Sequence, residues 1–350
     1  MMSASSKHPG KPLRVLITGA TGFVGRHLIA YLEAEEKRNK SGRRLEITGT
    51  CYPERPDECP DFRAAAPRVM LLPLDLRDPG AVSVAVAACR PDRIFHLAAI
   101  SRVRASWDLR RETIETNLMG TFHLFEAARL RAPSARILFI SSSDVYGEQG
   151  PRRMPLRENS PLSAVSPYGF TKLSAEELAV FYARMEKMAI VIARPFTHTG
   201  PGQGPDFVCS DWARQIAVIE AAANGKKNGG PAAVLKVGNL SVRRDYSDVR
   251  DIVRAYALLL EKGKSGEAYN VCSGKSLALR EILRMLVEKS RAKIAVKVDP
   301  DRVRQADIPL LAGSYARITR ETGWRPRYDL ETTLSDLLKY WRKKVRGPAK

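Results

Sequence analysis

LRVLITGATGFVGRH, residues 13–27, sets the architecture of this chain. Its first six residues read as a continuous apolar strand, and a helix is expected from near Gly22 through HLIAYLEAEEK. Between strand and helix, Gly19, Gly22 and Gly25 stand at the spacing GxxGxxG. Glycine is needed where backbone approaches a pyrophosphate closely and where a helix packs tightly on a strand. The helix N-terminus then offers unbonded N–H groups and the positive end of its dipole to phosphate oxygens. Any tight strand-to-helix turn can use such glycines. Their place after the first strand of a doubly wound pattern is what points to a dinucleotide.

That pattern continues downstream. RLEITGTC (44–51), VMLLPLDL (69–76), RIFHLAA (93–99) and ARILFISS (135–142) read as further buried strands. PGAVSVAVAAC reads as a helix and ETIETNLMGTFHLFEAARL as one long amphipathic helix, while the Pro- and charge-rich stretch after the second strand reads as a loop. Continuous apolar strands alternating with amphipathic helices predict an α/β fold, a doubly wound, Rossmann-type parallel sheet covered on both faces. After Pro195 the pattern loosens, with glycine and proline dense at 199–205 and 225–231. A Rossmann domain over 12–195 is therefore expected, to which some later segments return. A smaller C-terminal α/β substrate domain, mainly 196–345, would lie over its crevice.

Composition narrows the class of protein. The chain of 350 residues is long enough for one large domain or two unequal ones, and 44% of it is hydrophobic. No apolar run approaches the ~18 residues of a membrane helix, and MMSASSKHPGKP lacks the apolar segment of a signal peptide. Cys51, Cys59, Cys89, Cys209 and Cys272 form no CxxC pair and no metal-ligand spacing with histidine, so reduced thiols, a cytoplasmic location and no metal are expected. Fifty-eight Lys+Arg against 38 Asp+Glu give a net charge of +20. Those charges are scattered, and only the tail WRKKVRGPAK clusters them, without a zinc-finger or RNP pattern. A solvated basic surface that favours anionic ligands accounts for this better than a nucleic-acid site.

Two further motifs carry chemistry. In SPYGFTK (166–172), Tyr168 and Lys172 are four apart and share a helix face. A phenol titrating near ~10 is a poor proton donor or acceptor at neutral pH, and a neighbouring ammonium would pull it toward the working range. In ISSSDVYG (140–147), three serines and an acid follow a buried strand, where an α/β sheet opens its ligand crevice. A helix cap is the ordinary use of serine there, and Asp144 would equally suit a turn.

These motifs together resemble the extended short-chain dehydrogenase/reductases that act on nucleotide sugars. The resemblance runs through TGATGFVG, LDL, HLAA, the Asn117 helix, SSSDVYG, the Tyr168/Lys172 pair and ARPF. HTGPGQ, VGNLSVRRDYSDVRD, YNVCSG, DPDRVRQAD and TGWRP are similar to the branch that handles GDP-linked hexoses, which contains both 4,6-dehydratases and 4-keto-sugar reductases. The C-terminal half is closer to the reductases.

The resemblance implies roles. Ser142 would bond the reacting sugar oxygen, Tyr168 would transfer the proton, and Lys172 would contact the nicotinamide ribose. Cofactor contacts would come from Gly19, Gly22, Phe23, Val24 and Gly25, then Asp75, Leu76, Leu97, Ala98 and Ala99, and from Arg194. Asp75 would reach the adenine edge, with a helix cap near Asp78 as its ordinary role. The second strand ends GTCYPERPDE without the terminal acid that binds the ribose of NAD, and Arg55 follows Glu54. That tilts the expectation from NAD(H) toward NADP(H), with Arg55 on the 2′-phosphate.

Ser143, Thr197, Phe207, Val208, Arg244 and Arg304 would bind substrate, the arginines as forks on the pyrophosphate. Arg243 leaves open which of the neighbouring pair turns inward. Thr197 stands where the family has asparagine, and Gln305 where it has proline after Arg304. Dehydratases carry a glutamate where this chain has Asp144, shorter by one carbon or about 1.5 Å. A displacement near 1 Å costs on the order of a hundredfold in rate. The expectation is therefore reduction of the 4-keto group of a GDP-6-deoxyhexose, with catalytic Ser142, Tyr168, Lys172 and Asp144. A GDP-mannose 4,6-dehydratase, a C4 epimerase and a non-catalytic dinucleotide- or RNA-binding protein stand as alternatives, and rhamnose and talose products are equally open. A homodimer through helices around 107–131 and 166–188 is also implied.

Overall fold

The computed structural model describes residues 11–38, 44–53, 58–223, 232–303 and 308–346. The first half alternates strand and helix: β1 (Leu13–Thr18), α1 (Phe23–Arg38), β2 (Leu45–Cys51), α2 (Glu58–Ala65), β3 (Met70–Pro73), α3 (Pro79–Cys89) and β4 (Arg93–His96). Short helices α4 (Ala105–Asp108) and α5 (Arg110–Ile114) lead through a π-helical turn, Glu115–Met119, into α6 (Gly120–Arg131). Then come β5 (Arg136–Ile140), α7 (Pro167–Arg184) and β6 (Ala189–Pro195). The second half holds β7 (His198–Thr199), α8 (Val208–Ala222), β8 (Ala233–Val237), β9 (Arg243–Asp245), β10 (Ser247–Asp248), α9 (Val249–Lys262), β11 (Ala268–Val271), β12 (Ser276–Ala278), α10 (Leu279–Glu288), β13 (Ile294–Val298), α11 (Ala316–Thr322) and α12 (Leu330–Arg346).

Seven parallel strands form the main sheet in the order β11-β6-β5-β4-β1-β2-β3. Burial on both faces explains why the strands read as apolar runs instead of alternating. One face is covered by α1 and α9 with Leu28, Ile252 and Leu259 fully buried; the other by α3, α6 and α7 with Val86, Leu124 and Ala179. Thus α9 and β11, both from beyond Pro195, belong to the main layer. A separate core joins α8, α10 and α12 around Trp212, Ile282 and Leu337, and three two-stranded sheets complete the second half.

Two sequence expectations need correction here. The stretch after β2 contains α2, with Phe62 buried against the main core, so it is not purely loop. The long helix over ETIETNLMGTFHLFEAARL is broken by the π turn, which turns Asn117 inward. Asn117 Nδ2 donates to Ile100 O at 3.1 Å and to Thr171 Oγ1 at 3.2 Å, while its Oδ1 accepts from Ile100 N at 2.8 Å. Such single-turn π segments recur at functional sites because they re-aim one side chain.

Candidate active site

The glycine turn is shaped by close backbone approach. Gly19 sits at φ +70°, and a Cβ there would lie 2.9 Å from Ala98 Cα. A Cβ on Gly25 would lie 2.5 Å from the carbonyl oxygens of Gly19 and Ala20. The turn is thus a cradle that any side chain would fill, which fits a pyrophosphate held by backbone N–H groups at the start of α1. Thr18 supports it from below, its Oγ1 accepting from Ala98 N at 3.1 Å and contacting His96 Nδ1 at 2.8 Å. Thr121 donates its hydroxyl proton to Asn117 O, so His96 Nε2, 2.9 Å from Thr121 Oγ1, carries the ring proton and Nδ1 accepts. Burial pushes His96 down to about 3, so the imidazole is a neutral strut.

The turn after β5 builds the reacting corner. Ser142 is the N-cap of a short 3₁₀ turn, accepting from Asp144 N at 3.1 Å and donating to Asp144 Oδ2 at 2.9 Å. Both Ser142 and Asp144 bear on the electrostatics of the Tyr168 phenol, which faces this cap. Cap and catalytic candidate are therefore one residue. Ser166 caps α7 through Gly169 N and so sets where Tyr168 starts on that helix. Burial first, then the charge of Asp144, hold the phenol well above its ordinary range, with Ser142 pulling weakly the other way.

Lys172 is buried too, where the ordinary reading would have a surface cation. Its Nζ donates to Ile140 O at 2.8 Å, and burial lowers it to about 7. The lysine is drawn to the strand-end carbonyl, and desolvation with Asp144 dominates the tyrosine.

Arg194 is engaged within the protein. Its side chain does not turn to the cofactor cradle; the guanidinium is ion-paired with buried Glu176 and bonds Tyr146 Oη at 2.8 Å and Glu158 O at 3.0 Å. Glu176 Oε2 also accepts from Ser141 Oγ at 2.6 Å, and Tyr146 Oη donates to Asn270 Oδ1 at 2.7 Å. The 141–146 turn is thus tied at both ends to one ion pair. Glu176 was missed in the sequence, although Tyr168, Lys172 and Glu176 continue one face at i, i+4 and i+8, all buried.

Asp75 is bonded to a near neighbour. Its carboxylate pairs with Arg77, whose Nη2 approaches Oδ2 at 2.6 Å, and Asp78, not Asp75, caps α3 through Ala81 N. Leu76 is buried, whereas Phe23, Val24, Leu97, Ala98 and Ala99 are half-buried around the turn. Arg55 lies outside the described residues, as do Arg304 and Gln305.

On the substrate side Arg243 is exposed and Arg244 half-buried, which answers which of the two turns inward. Arg244 Nη1 donates to Ile308 O at 2.6 Å. Ser143 is buried, and Thr197, Phe207 and Val208 are half-buried on the loop leading into α8. His198 stacks on Phe23 with ring centroids 6.3 Å apart and planes within 10°, and His27 Nε2 reaches Pro201 O at 2.8 Å. The cofactor turn and the substrate loop therefore share one aromatic contact. Among the described residues no cluster of His, Cys, Asp or Glu is arranged to hold a metal, and Cys51, Cys89, Cys209 and Cys272 are free thiols. No described helix is long and apolar enough to cross a membrane.

Comparison with known proteins adds four findings. The family model described as GDP-mannose 4,6 dehydratase matches residues 16–337. GDP-6-deoxy-D-mannose reductase of Pseudomonas aeruginosa is 34% identical over 95% of this chain and 98% of its own; the structure of RMD from the same organism complexed with NADPH superposes with a TM-score of 0.77 at 32% identity, covering 95% of this chain and 100% of that one. GDP-mannose 4,6-dehydratase of Yersinia enterocolitica is 26% identical over 93% of this chain and 92% of its own.

Proposed function

The chain belongs to the GDP-mannose 4,6 dehydratase family of extended short-chain dehydrogenase/reductases, and we propose that within it the protein reduces the 4-keto group of a GDP-6-deoxyhexose. It is an NAD(P)-dependent nucleotide-sugar oxidoreductase. The observation that carries the finer reading is the short carboxylate of Asp144, engaged with the Ser142 hydroxyl at 2.9 Å. A glutamate with free reach would suit proton work at C5 and C6 of a hexose; an aspartate bonded to the neighbouring serine suits orienting that serine. The full-length similarity to a reductase supports the same reading.

Bound reduced nicotinamide supplies the hydride. Ser142 turns its hydroxyl proton from Asp144 to the ketone oxygen, and Tyr168 gives that oxygen its proton, so that ketone, hydride and proton become an alcohol. A phenol held protonated by burial is in the state that reduction needs. Lys172 balances the phenolate left behind, and Arg244 with Arg304 holds the pyrophosphate of the nucleotide. NADPH is the favoured reductant, because the NADPH-bound relative aligns over 95% of this chain and β2 ends without an acid.

We also infer a homodimer. Trp107, Ile114, Val165 and Phe170 line an open apolar cavity of about 440 Å³ between α4, α5 and α7, and Phe181 and Met185 continue the apolar face along α7. A second copy of this chain placing its own α5–α7 face there would bury both sets at once.

The test offers purified protein GDP-mannose alone, then a GDP-6-deoxy-4-keto-hexose with NADPH, following mass and nicotinamide fluorescence. A reductase leaves the first untouched and consumes one NADPH per ketone in the second. Water loss from GDP-mannose without net NADPH consumption, abolished in Asp144→Ala, would instead make Asp144 a working dehydratase acid/base.

A further inference from the structure

The residue meant to select NADPH by its sequence position, Arg55, lies outside the described residues, but a second cation occupies the place where such selection happens. Ala20 N donates to Thr50 O at 2.9 Å, and Gly19 N to Thr50 Oγ1 at 3.2 Å, so the glycine turn lies against the carboxyl end of β2. A dinucleotide whose pyrophosphate rests on that turn lays its adenosine ribose across the end of β2. Selectivity between NAD and NADP is decided there, by a carboxylate that accepts from ribose hydroxyls or a cation that meets the 2′-phosphate. The described residues at that end are Cys51, Tyr52 and Pro53, with no acid among them.

Arg77 reaches this place from the next strand. Leu74 N donates to Cys51 O at 2.9 Å, which brings the segment after β3 alongside the end of β2. From there Arg77 Nη2 donates to Tyr52 Oη at 2.8 Å, with the guanidinium 5.7 Å from the Tyr52 ring centroid. The same guanidinium is held by Asp75: Nε approaches Oδ2 at 2.9 Å, and the backbone N–H of Arg77 donates to Oδ1 at 2.9 Å. That side-chain bond, more than the backbone one, holds Asp75 below the ordinary carboxylate range. About a third of the Arg77 side chain is open to solvent, at 34%. It is oriented, then, and still reachable.

We propose that Arg77 is the residue through which this enzyme recognises a phosphorylated adenosine ribose, and that Asp75 acts as its built-in competitor. The inference rests on the reading of the protein as an NAD(P)-dependent enzyme and gives its cofactor preference a residue. The Tyr52 ring braces the planar fork so that it meets a phosphate with little further ordering. The Asp75 carboxylate occupies part of the same fork, so phosphate must displace or share it. NADPH selectivity is accordingly set by the balance between two anions around one guanidinium. Any effect of Asp75 on the adenine, which both cofactors share, cancels when NADPH and NADH are compared.

The experiment uses the full chain without sugar substrate, so that it stands whether the chemistry is reduction or dehydration. NADPH and NADH are titrated against intrinsic tryptophan fluorescence, and 2′,5′-ADP and 5′-AMP are used as competitors. In Arg77→Ala, NADPH and 2′,5′-ADP should weaken roughly tenfold or more, the scale of a lost charge-assisted bond, while NADH and 5′-AMP stay within about twofold. In Asp75→Asn, the ratio of NADH to NADPH dissociation constants should rise severalfold. Unchanged NADPH affinity in Arg77→Ala, equal losses for both cofactors, or a loss of NADPH selectivity found only in Arg55→Ala would overturn the assignment.

Discussion

Ser141 Oγ donates to Glu176 Oε2 at 2.6 Å, with both side chains buried. Because Glu176 follows Lys172 by one helical turn, this bond fixes the serine turn to the helix that carries the proposed proton donor. Removing the charge leaves Arg194 buried without its partner, which costs about 3–5 kcal/mol. Glu176→Gln should therefore lower the urea midpoint sharply, and kcat should fall more than KM rises because the reacting corner loosens. Pairing it with Arg194→Met should recover most of the stability but not the rate. A double variant as unstable as Glu176→Gln would count against the ion pair as the organiser.

Tyr168→Phe removes the proposed proton donor and leaves the fold intact. Keto-sugar reduction should drop by at least ~100-fold, while NADPH binding, followed by fluorescence, is retained. Near-normal turnover would sink the assignment.

Lys172 makes the cofactor-free protein sensitive to pH. With its folded value lowered to about 7 from the model-peptide 10.5, the unfolded chain binds more protons between those two limits. Stability therefore rises with pH across that window, and the cost of burying the ammonium is fully present below about pH 7. Lys172→Met should be more stable than the parent at pH 6 by about 1–3 kcal/mol and should flatten the rise toward pH 9. Denaturant unfolding at the two pH values checks this, and an unchanged slope would refute it.

The apolar face on α7 gives a test of assembly. Phe170 is 53% exposed beside the cavity that Trp107 lines. A charge at its centre, Phe170→Glu, should convert a dimer to monomer in sedimentation velocity. An equivalent change at exposed Val84, on α3, should leave the oligomeric state alone.

The main sheet was legible because burial on both faces writes strands as apolar runs, and the glycine spacing reports a backbone constraint directly. Tyr168 and Lys172 were legible as a helical pair. What hid were relationships between residues. Arg194 looked available because its partner Glu176 lies on another element, and the Arg77–Asp75 pair looked like two ordinary charges in LDLRD. The π turn left no mark, since a one-residue change of helical register alters no composition. Strands β7, β9, β10 and β12 are two or three residues long, too short to carry a period.

β11 pairs with β6 from Ala268↔Ile192 to Val271↔Pro195, after more than seventy residues of intervening chain. A polypeptide ending at Pro195 would leave that ladder open, offering the N–H and C=O groups of β6 to any passing strand. It would also lose α9, which seals one face of the sheet with Ile252, Tyr256 and Leu259. Such a fragment should aggregate instead of folding alone. Native unfolding should be correspondingly concerted, because segments from both halves of the chain complete the one nucleotide-binding layer.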